Sequence, residues 1–392
     1  MPVKIAHLNI VWRPSVGVLE KVRAIGEAAA SLDGRPIDVL LCVPEYVRSR
    51  CGPLGGVRVL PVPAPAPRRV SVPLMSAVVW RYLLPAAIEY DAVVVRWTTP
   101  SPLFLRFARR VPVFTEHHTM EVPELESKRG LMNRALELLE RRYSPRILAS
   151  VRGIIAVTGE IRDYESARAR RSLPSLVLPN GVSAADYQQV VRCRPAPGRV
   201  SVAFVSSRFA AWQGLDRLIA GLRAWQGRKP AVELHVVGEL NAAQQRELLG
   251  LSFAGEVRLH GVLDKHGLAG VLSRCAVGMG SLAVHRKALR EACALKVREY
   301  IASGLPVAIA YSDPDLPRDL PWVHRIPADD SPVSIAGLVG FARDVWERPG
   351  LSEEIRRFAV DRLDWTVKLG HMARFVATQT RHPAQHAGKR RA

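Results

Sequence analysis

The stretch EACALKVREYIASGLPV, Glu291 to Val307, sets two carboxylates eight residues apart with a lysine between them. Good helix formers from Leu295 to Ser303, followed by Gly304-Leu305-Pro306, predict a helix that starts near Cys293–Ala294 and stops at the glycine. Glu291 then lies on the loop just ahead of the helix, and Glu299 lies about one and a half turns inside it. No Ser, Thr, Asp or Asn stands at the cap. The first-turn amides therefore lack an obvious partner and, with the positive end of the helix dipole, suit a phosphate. Lys296 in the first turn opposes simple dipole logic and makes sense beside a bound anion. The plainer reading is a solvated Glu291, with Glu299 paired to Lys296 or Arg298.

The elements around this stretch alternate. In the first half VKIAHLNIV, IDVLLCVPE, DAVVVRW, VPVFTEHH and GIIAVT read as strands, separated by amphipathic helices. The Pro-rich LPVPAPAPRRVSVP reads as a loop or extended segment. In the second half RVSVAFVSS, AVELHVVG, EVRLHG, AVGMGS and GLPVAIAY are strands with helices between them. This rhythm predicts parallel sheets covered on both faces, in two α/β domains. The expected boundary is RCRPAPGR, Arg192 to Arg199. That gives an N-terminal domain over residues 1–190 and a C-terminal one over 200–370, the latter including most of the helix DWTVKLGHMARFVATQ. The end of that helix and a basic tail fill 371–392. Ligands of such folds bind at the carboxyl ends of the strands.

The chain has 392 residues and a net charge of +20, shared by both halves. Charge of that size admits nucleic acid, an anionic membrane surface or phosphate-bearing substrates as partners. No Walker motif, GxGxxG with a following acid, HExxH, GxSxG, zinc-finger spacing or aromatic RNA-binding motif is present. Five scattered cysteines without a CxxC pair fit a reducing cytosol. The start of the chain does not read as a signal peptide, and no apolar run is long enough to span a membrane.

The Glu-x7-Glu spacing ahead of EYIASGLPV resembles the donor-site motif of the retaining GT-B glycosyltransferases of family 4, or group 1. FVSSRFAAWQGLDRLIAG, LVLPNGVSAADY, LHGVL, AVGMGSL and RLDWTVKLGHM resemble further family segments in the expected order. The resemblance covers nearly all of the second domain and the end of the first. It implies a GT-B architecture, two Rossmann-like doubly wound domains facing each other across a cleft, with the nucleotide-diphospho-sugar on the C-terminal domain. It further implies that Glu299 holds the ribose hydroxyls, Glu291 the donor sugar, and the helix start near Leu295 and Lys296 the diphosphate. An Arg in the strand-loop and a Lys before the loop glycine usually complete the phosphate clamp. Arg208 fits the first place, but Gln213 stands in the second, ahead of Gly214. Gln can hydrogen-bond but cannot neutralise charge.

In the first domain the resemblance points to a histidine at the end of FTEHHT that approaches the reacting sugar, either His117 or His118, with His118 preferred. Glu116 and Glu121 read as solvated surface. Arg96 aims at the same edge, where acceptor contact and a structural ion pair both remain open. Gly17 falls where the family often has a glycine-rich turn near the donor phosphate. Thr158 and Glu160 fit a helix cap better than an acceptor contact. The helix from about Lys128 to Leu148, with leucines among basic residues, reads either as plain surface or as an interfacial helix on anionic lipid.

Together these expectations describe a transferase that needs no metal or other cofactor. It moves a sugar with retention from a nucleotide-sugar to a glycan or lipid-linked acceptor, as in polysaccharide or glycoconjugate synthesis. It would work in the cytoplasm, peripherally at the inner face of the membrane, with no nucleic-acid partner. The alternatives are a non-catalytic α/β protein that binds nucleic acid or a membrane surface, a donor-binding pseudo-enzyme, or a GT-B phosphorylase or epimerase.

Overall fold

A computed structural model describes residues 3–12, 16–63, 78–83, 85, 89–126, 130–187, 198–226 and 229–381. The chain divides into two compact units. The first is Met1–Leu178 with Trp365–Ala392, and the second is Pro179–Asp364.

In the first unit seven strands form one sheet: β1 (Ile5–Ile10), β2 (Ile37–Pro44), β3 (Val57–Val62), β4 (Ala92–Arg96), β5 (Val113–His117), β6 (Gly153–Ala156) and β7 (Ser175–Val177). All pairs are parallel, in the order β3-β2-β1-β4-β5-β6-β7. The strand runs are continuously apolar because both faces are covered, as in Val93, Val94 and Val95, none more than 1% exposed. The second unit repeats the plan with β8 (Arg199–Arg208), β9 (Ala231–Glu239), β10 (Gly255–Leu259), β11 (Val277–Met279), β12 (Val307–Ile309) and β13 (Val323–Arg325). Its parallel order is β10-β9-β8-β11-β12-β13. In each unit the strand order reverses next to the first strand, between β1 and β4 and between β8 and β11. A doubly wound sheet opens a ligand crevice there, outside the carboxyl ends.

Three features differ from the sequence reading. β3 runs into the Pro-rich stretch, and Pro61 is tolerated because β3 is an edge strand that needs no amide from it on its outer side. The chain also crosses between units at Leu178/Pro179, ahead of the expected linker, of which residues 192–197 lie outside the described residues. The helix Trp365–Arg381, placed in the second domain and its tail by sequence, belongs to the first unit. Its Trp365, Leu369, Met372 and Val376 are buried in one cluster with Val22, Ile25 and Ala29 of the helix Val16–Ser31. Apolar stripes on the two helices bury each other. Residues 382–392 lie outside the described residues.

Leu369 is fully buried in that cluster. Leu369→Ala should lower the stability of the first unit by about 2–5 kcal/mol, a transfer loss plus a cavity. Limited proteolysis across a temperature series would read it as earlier cleavage of the first unit.

Candidate functional site

In the second unit the helix opens at Leu295 and ends at Ala302. Its cap position is Ala294, which supplies no side-chain bond, so the uncapped start expected from the sequence is present. Gly214 lets the loop after β8 approach the loop after β11. Its φ of +72° is left-handed, and an added Cβ would come 2.7 Å from the Leu282 Cβ. That closeness allows two backbone bonds, Leu282 N–H to the Gln213 carbonyl (2.9 Å) and Ala283 N–H to the Trp212 carbonyl (3.2 Å). The loops after β8 and β11 are thereby zipped together at the point where the strand order reverses.

Gln213 is buried there. Its Oε1 accepts from Lys296 Nζ at 2.6 Å and from Ser281 Oγ at 3.0 Å. The side chain that replaces the expected lysine is thus an acceptor that aims a different lysine. Lys296 also lies 4.8 Å from the centre of the Phe204 ring. Burial pushes its pKa down to about 7, against the opposing pull of Glu299. A nearby negative charge would restore its full ionisation.

Glu291 is fixed by backbone. It bridges to Ser312 in parallel, with Ala292 N–H donating to the Ser312 carbonyl (3.0 Å) and Ser312 N–H to the Arg290 carbonyl (2.9 Å). The Asn180 side-chain amide donates to the Cys293 carbonyl and its backbone N–H to Cys293 Sγ, both at 2.8 Å. Arg298 locks the whole group. Its fully buried guanidinium makes a bidentate pair with Asp313 and donates to Asp315 (2.8 Å) and the Asn180 carbonyl (3.1 Å). Burial opposes its charge, but Asp313 outweighs burial and the pKa stands well above the usual value. Arg298, expected at most to pair with Glu299, instead ties two loops to one helix.

Arg208 is not drawn into this group. It ends β8 with a side chain 79% exposed and a loose 3.9 Å pairing to Glu239. It borders an open cavity of about 650 Å³ with Phe209, Asp216, Gln244 and Arg286, and neither Gln213 nor Lys296 lines that cavity. Glu299 is half-buried on the helix.

In the first unit β5 delivers a polar cluster that its sequence reading underrated. Glu116, expected as solvated surface, is 5% exposed. Its Oε2 meets His7 Nε2 at 2.7 Å and its Oε1 meets His118 Nε2 at 2.9 Å. Asn9 Nδ2 lies 3.3 Å from His7 Nδ1, and Lys21 Nζ lies 3.4 Å from both ring nitrogens of His118. Burial raises the Glu116 pKa, yet His118 and His7 hold it well below the usual carboxylate range. His118 itself is pushed down to about 4 by burial and then by Lys21. Its side chain stays 20% exposed, whereas that of His117 is fully buried and stacked on Trp97 at 4.6 Å. Arg96 ends β4 directly across from Glu116.

His7, Asn9 and Lys21 escaped the sequence reading, though a signal existed. His7 and Asn9 stand two apart in an otherwise apolar strand, hence on one face, and Lys21 interrupts an apolar helix stripe. Glu121 was also read as solvated. Burial, with Glu140 nearby, instead pushes its pKa up to about 8. Glu140 accepts from Trp97 Nε1 (3.0 Å) and Arg168 Nη2 (2.9 Å), and Arg168 also pairs with Glu165. Thr158 caps its helix, accepting from Ile161 N–H at 3.3 Å. Gly17 is the second residue of the helix Val16–Ser31, in open space. Among the described residues no group of three or more His, Cys, Asp or Glu is placed to hold a metal ion.

Residues 22–186 match the family Glycosyltransferase Family 4. Structures similar to the whole chain include Anabaena HepE in complex with UDP-glucose (15% identity, TM-score 0.61, covering 96% of this chain and 100% of that one). A glycosyltransferase from Rickettsia africae aligns at 9% identity and TM-score 0.66 over 96% and 98%. Sucrose-phosphate synthase from Thermosynechococcus elongatus aligns at 16% and 0.62 over 95% and 98%. This chain is a glycosyltransferase with the GT-B fold, and its residues 22–186 match the family 4 model. No curated protein sequence matches it. Among the described residues of this glycosyltransferase no helix is long and apolar enough to cross a membrane.

Arg298→Met would leave Asp313 buried without its partner and should destabilise the second unit by about 3–5 kcal/mol. Adding Asp313→Leu should recover much of that loss. Urea denaturation of both variants measures it, and equal stability of R298M and the parent would contradict the assigned role.

Proposed function

We propose that this glycosyltransferase takes its sugar from a nucleotide-diphospho-sugar and passes it, with retention, to a glycan or lipid-linked acceptor in cell-surface polysaccharide or glycoconjugate synthesis. The observation that carries this reading is the uncapped helix start at Leu295 with Lys296 beside it, at the strand-order reversal of the second unit. Free amides and a lysine held near neutrality would stabilise a departing diphosphate, the charge that develops in the transition state. Glu291 and Glu299 are acceptor-only groups suited to sugar and ribose hydroxyls. Arg208, exposed and loosely paired, is free to swing toward phosphate. HepE, which shares the fold, is known in complex with UDP-glucose.

Retention follows if the acceptor attacks from the face the diphosphate leaves. Glu116 is a poor nucleophile candidate, since each of its oxygens already faces a histidine nitrogen. His118, partly exposed, is the first unit's candidate for substrate contact. The helix Leu131–Leu148 supports an acceptor at an anionic membrane surface at the cytoplasmic face. Leu131, Met132 and Leu138 are exposed on it, and Arg134, Arg141, Arg142 and Arg146 share that exposed side. The expected start of this basic run, Lys128 and Arg129, lies outside the described residues.

A thermal-shift screen against UDP-, GDP-, ADP- and dTDP-sugars should show stabilisation by one nucleotide class. Glu291→Ala and Arg208→Ala should each cut turnover of that donor by roughly 10²-fold, and near-normal rates in both would overturn the donor assignment.

Lys296 gives a separate test. An adjacent diphosphate raises its pKa above about 7, so the complex holds more protons than its separated parts. Donor affinity should therefore fall as pH rises from 7 toward the raised pKa. Calorimetry at pH 8 in two buffers of different ionisation enthalpy, with the donor the screen selects, should show uptake of close to one proton. Lys296→Met should abolish that uptake.

A further inference from the structure

Asn9, His7, Glu116, His118 and Lys21 form a chain of polar contacts with Glu116 at its centre. Asn9 can only donate through Nδ2, so His7 Nδ1 accepts at 3.3 Å and its proton sits on Nε2. That N–H donates to Glu116 Oε2 at 2.7 Å. At the other end an ammonium can only donate. His118 Nε2 faces the carboxylate at 2.9 Å and gives its proton there, which leaves the ring lone pair on Nδ1, with Lys21 Nζ 3.4 Å from both nitrogens. An amide nitrogen and an ammonium thus converge through two imidazoles on one acceptor-only carboxylate. Glu116 and Lys21 then balance in charge on either side of a neutral His118.

We propose that Glu116 and Lys21 are positioning residues of glycosyl transfer, which hold His118 as the neutral tautomer with Nε2–H turned inward and a bare Nδ1 offered to a substrate hydroxyl. The proposal rests on the reading that His118 contacts substrate. His118 is then a hydrogen-bond acceptor, not an acid. The 3.4 Å contact from Lys21 is long enough for a sugar O–H to replace it at Nδ1 without disturbing the bond to Glu116. Every element packed around His118 contributes to this assignment: Lys21 from the helix Val16–Ser31, His7 from β1, Arg96 from the end of β4 and Glu116 from β5. The low pKa of His118, with Lys21 and Arg96 both disfavouring its charged form, agrees with a neutral ring. Which nitrogen of a catalytic imidazole carries the proton is set by the partner of the other, and the wrong tautomer is costly.

The test is the protonation state of His118 in the full chain labelled with ¹⁵N-histidine, read at pH 7.5 by two-bond ¹H–¹⁵N correlation. The His118 signals are assigned by their loss in His118→Asn. The expected pattern is Nε2–H with bare Nδ1. A wild-type ring protonated on Nδ1, or on both nitrogens, overturns the proposal and requires no variant to fold. Glu116→Gln should mix the tautomers and lower kcat roughly 10²-fold with the donor KM little changed. Glu116→Asp, too short to span both histidines, should do the same. A tautomer or kcat that survives both substitutions overturns the positioning role. Full activity in His118→Asn would instead overturn the reading that His118 contacts substrate, whatever its tautomer.

Discussion

A guanidinium with no exposure to water must have its donors satisfied and its charge answered. Arg298 meets that demand with Asp313, Asp315 and the Asn180 carbonyl, and the second unit's site is arranged around the result. Asn180 is thereby placed to hold Cys293, and Asp313 anchors the segment whose Ser312 pairs with Glu291. Glu291 and the helix start therefore rest on one buried ion group.

The two units solve one problem in different ways. Each has a parallel sheet with its strand order reversed beside the first strand, and each gathers polar side chains at the carboxyl ends there. The second unit offers backbone amides and a lysine of lowered pKa, which suits an incoming negative charge. The first offers a carboxylate already neutralised from within, so that its outer histidine presents a lone pair. A group open to phosphate and a group closed on itself would do different work in a transfer reaction.

Gln213 shows how substitution at one motif position can be absorbed by geometry. Judged by residue type alone it removes a cation from the expected clamp. In the folded unit its side-chain oxygen accepts from Lys296, on the helix, and from Ser281. Arg208 shows the reverse. Its residue type fits the expected clamp, yet its side chain lies out in an open cavity with the acidic Glu239.

Much of the fold was legible because buried parallel strands and amphipathic helices write their periods directly into sequence. The uncapped helix at Leu295, its stop at Gly304 and the Thr158 cap are local features, set by residues a few positions apart. Membership of the helix Trp365–Arg381 in the first unit was not legible, since an apolar stripe does not say which partner covers it. Edge strand β3 was hidden by Pro61, a residue that only an edge position permits. Glu116 and Glu121 looked solvated because charge normally signals surface. Their burial depends on His7, Lys21, Glu140 and Arg168, brought together from strands and helices far apart in the chain. Sequence alone determined the elements and the residue types at their ends. Tertiary structure decided which charges were buried and who neutralised them, because pairing over long sequence separations leaves no periodic trace.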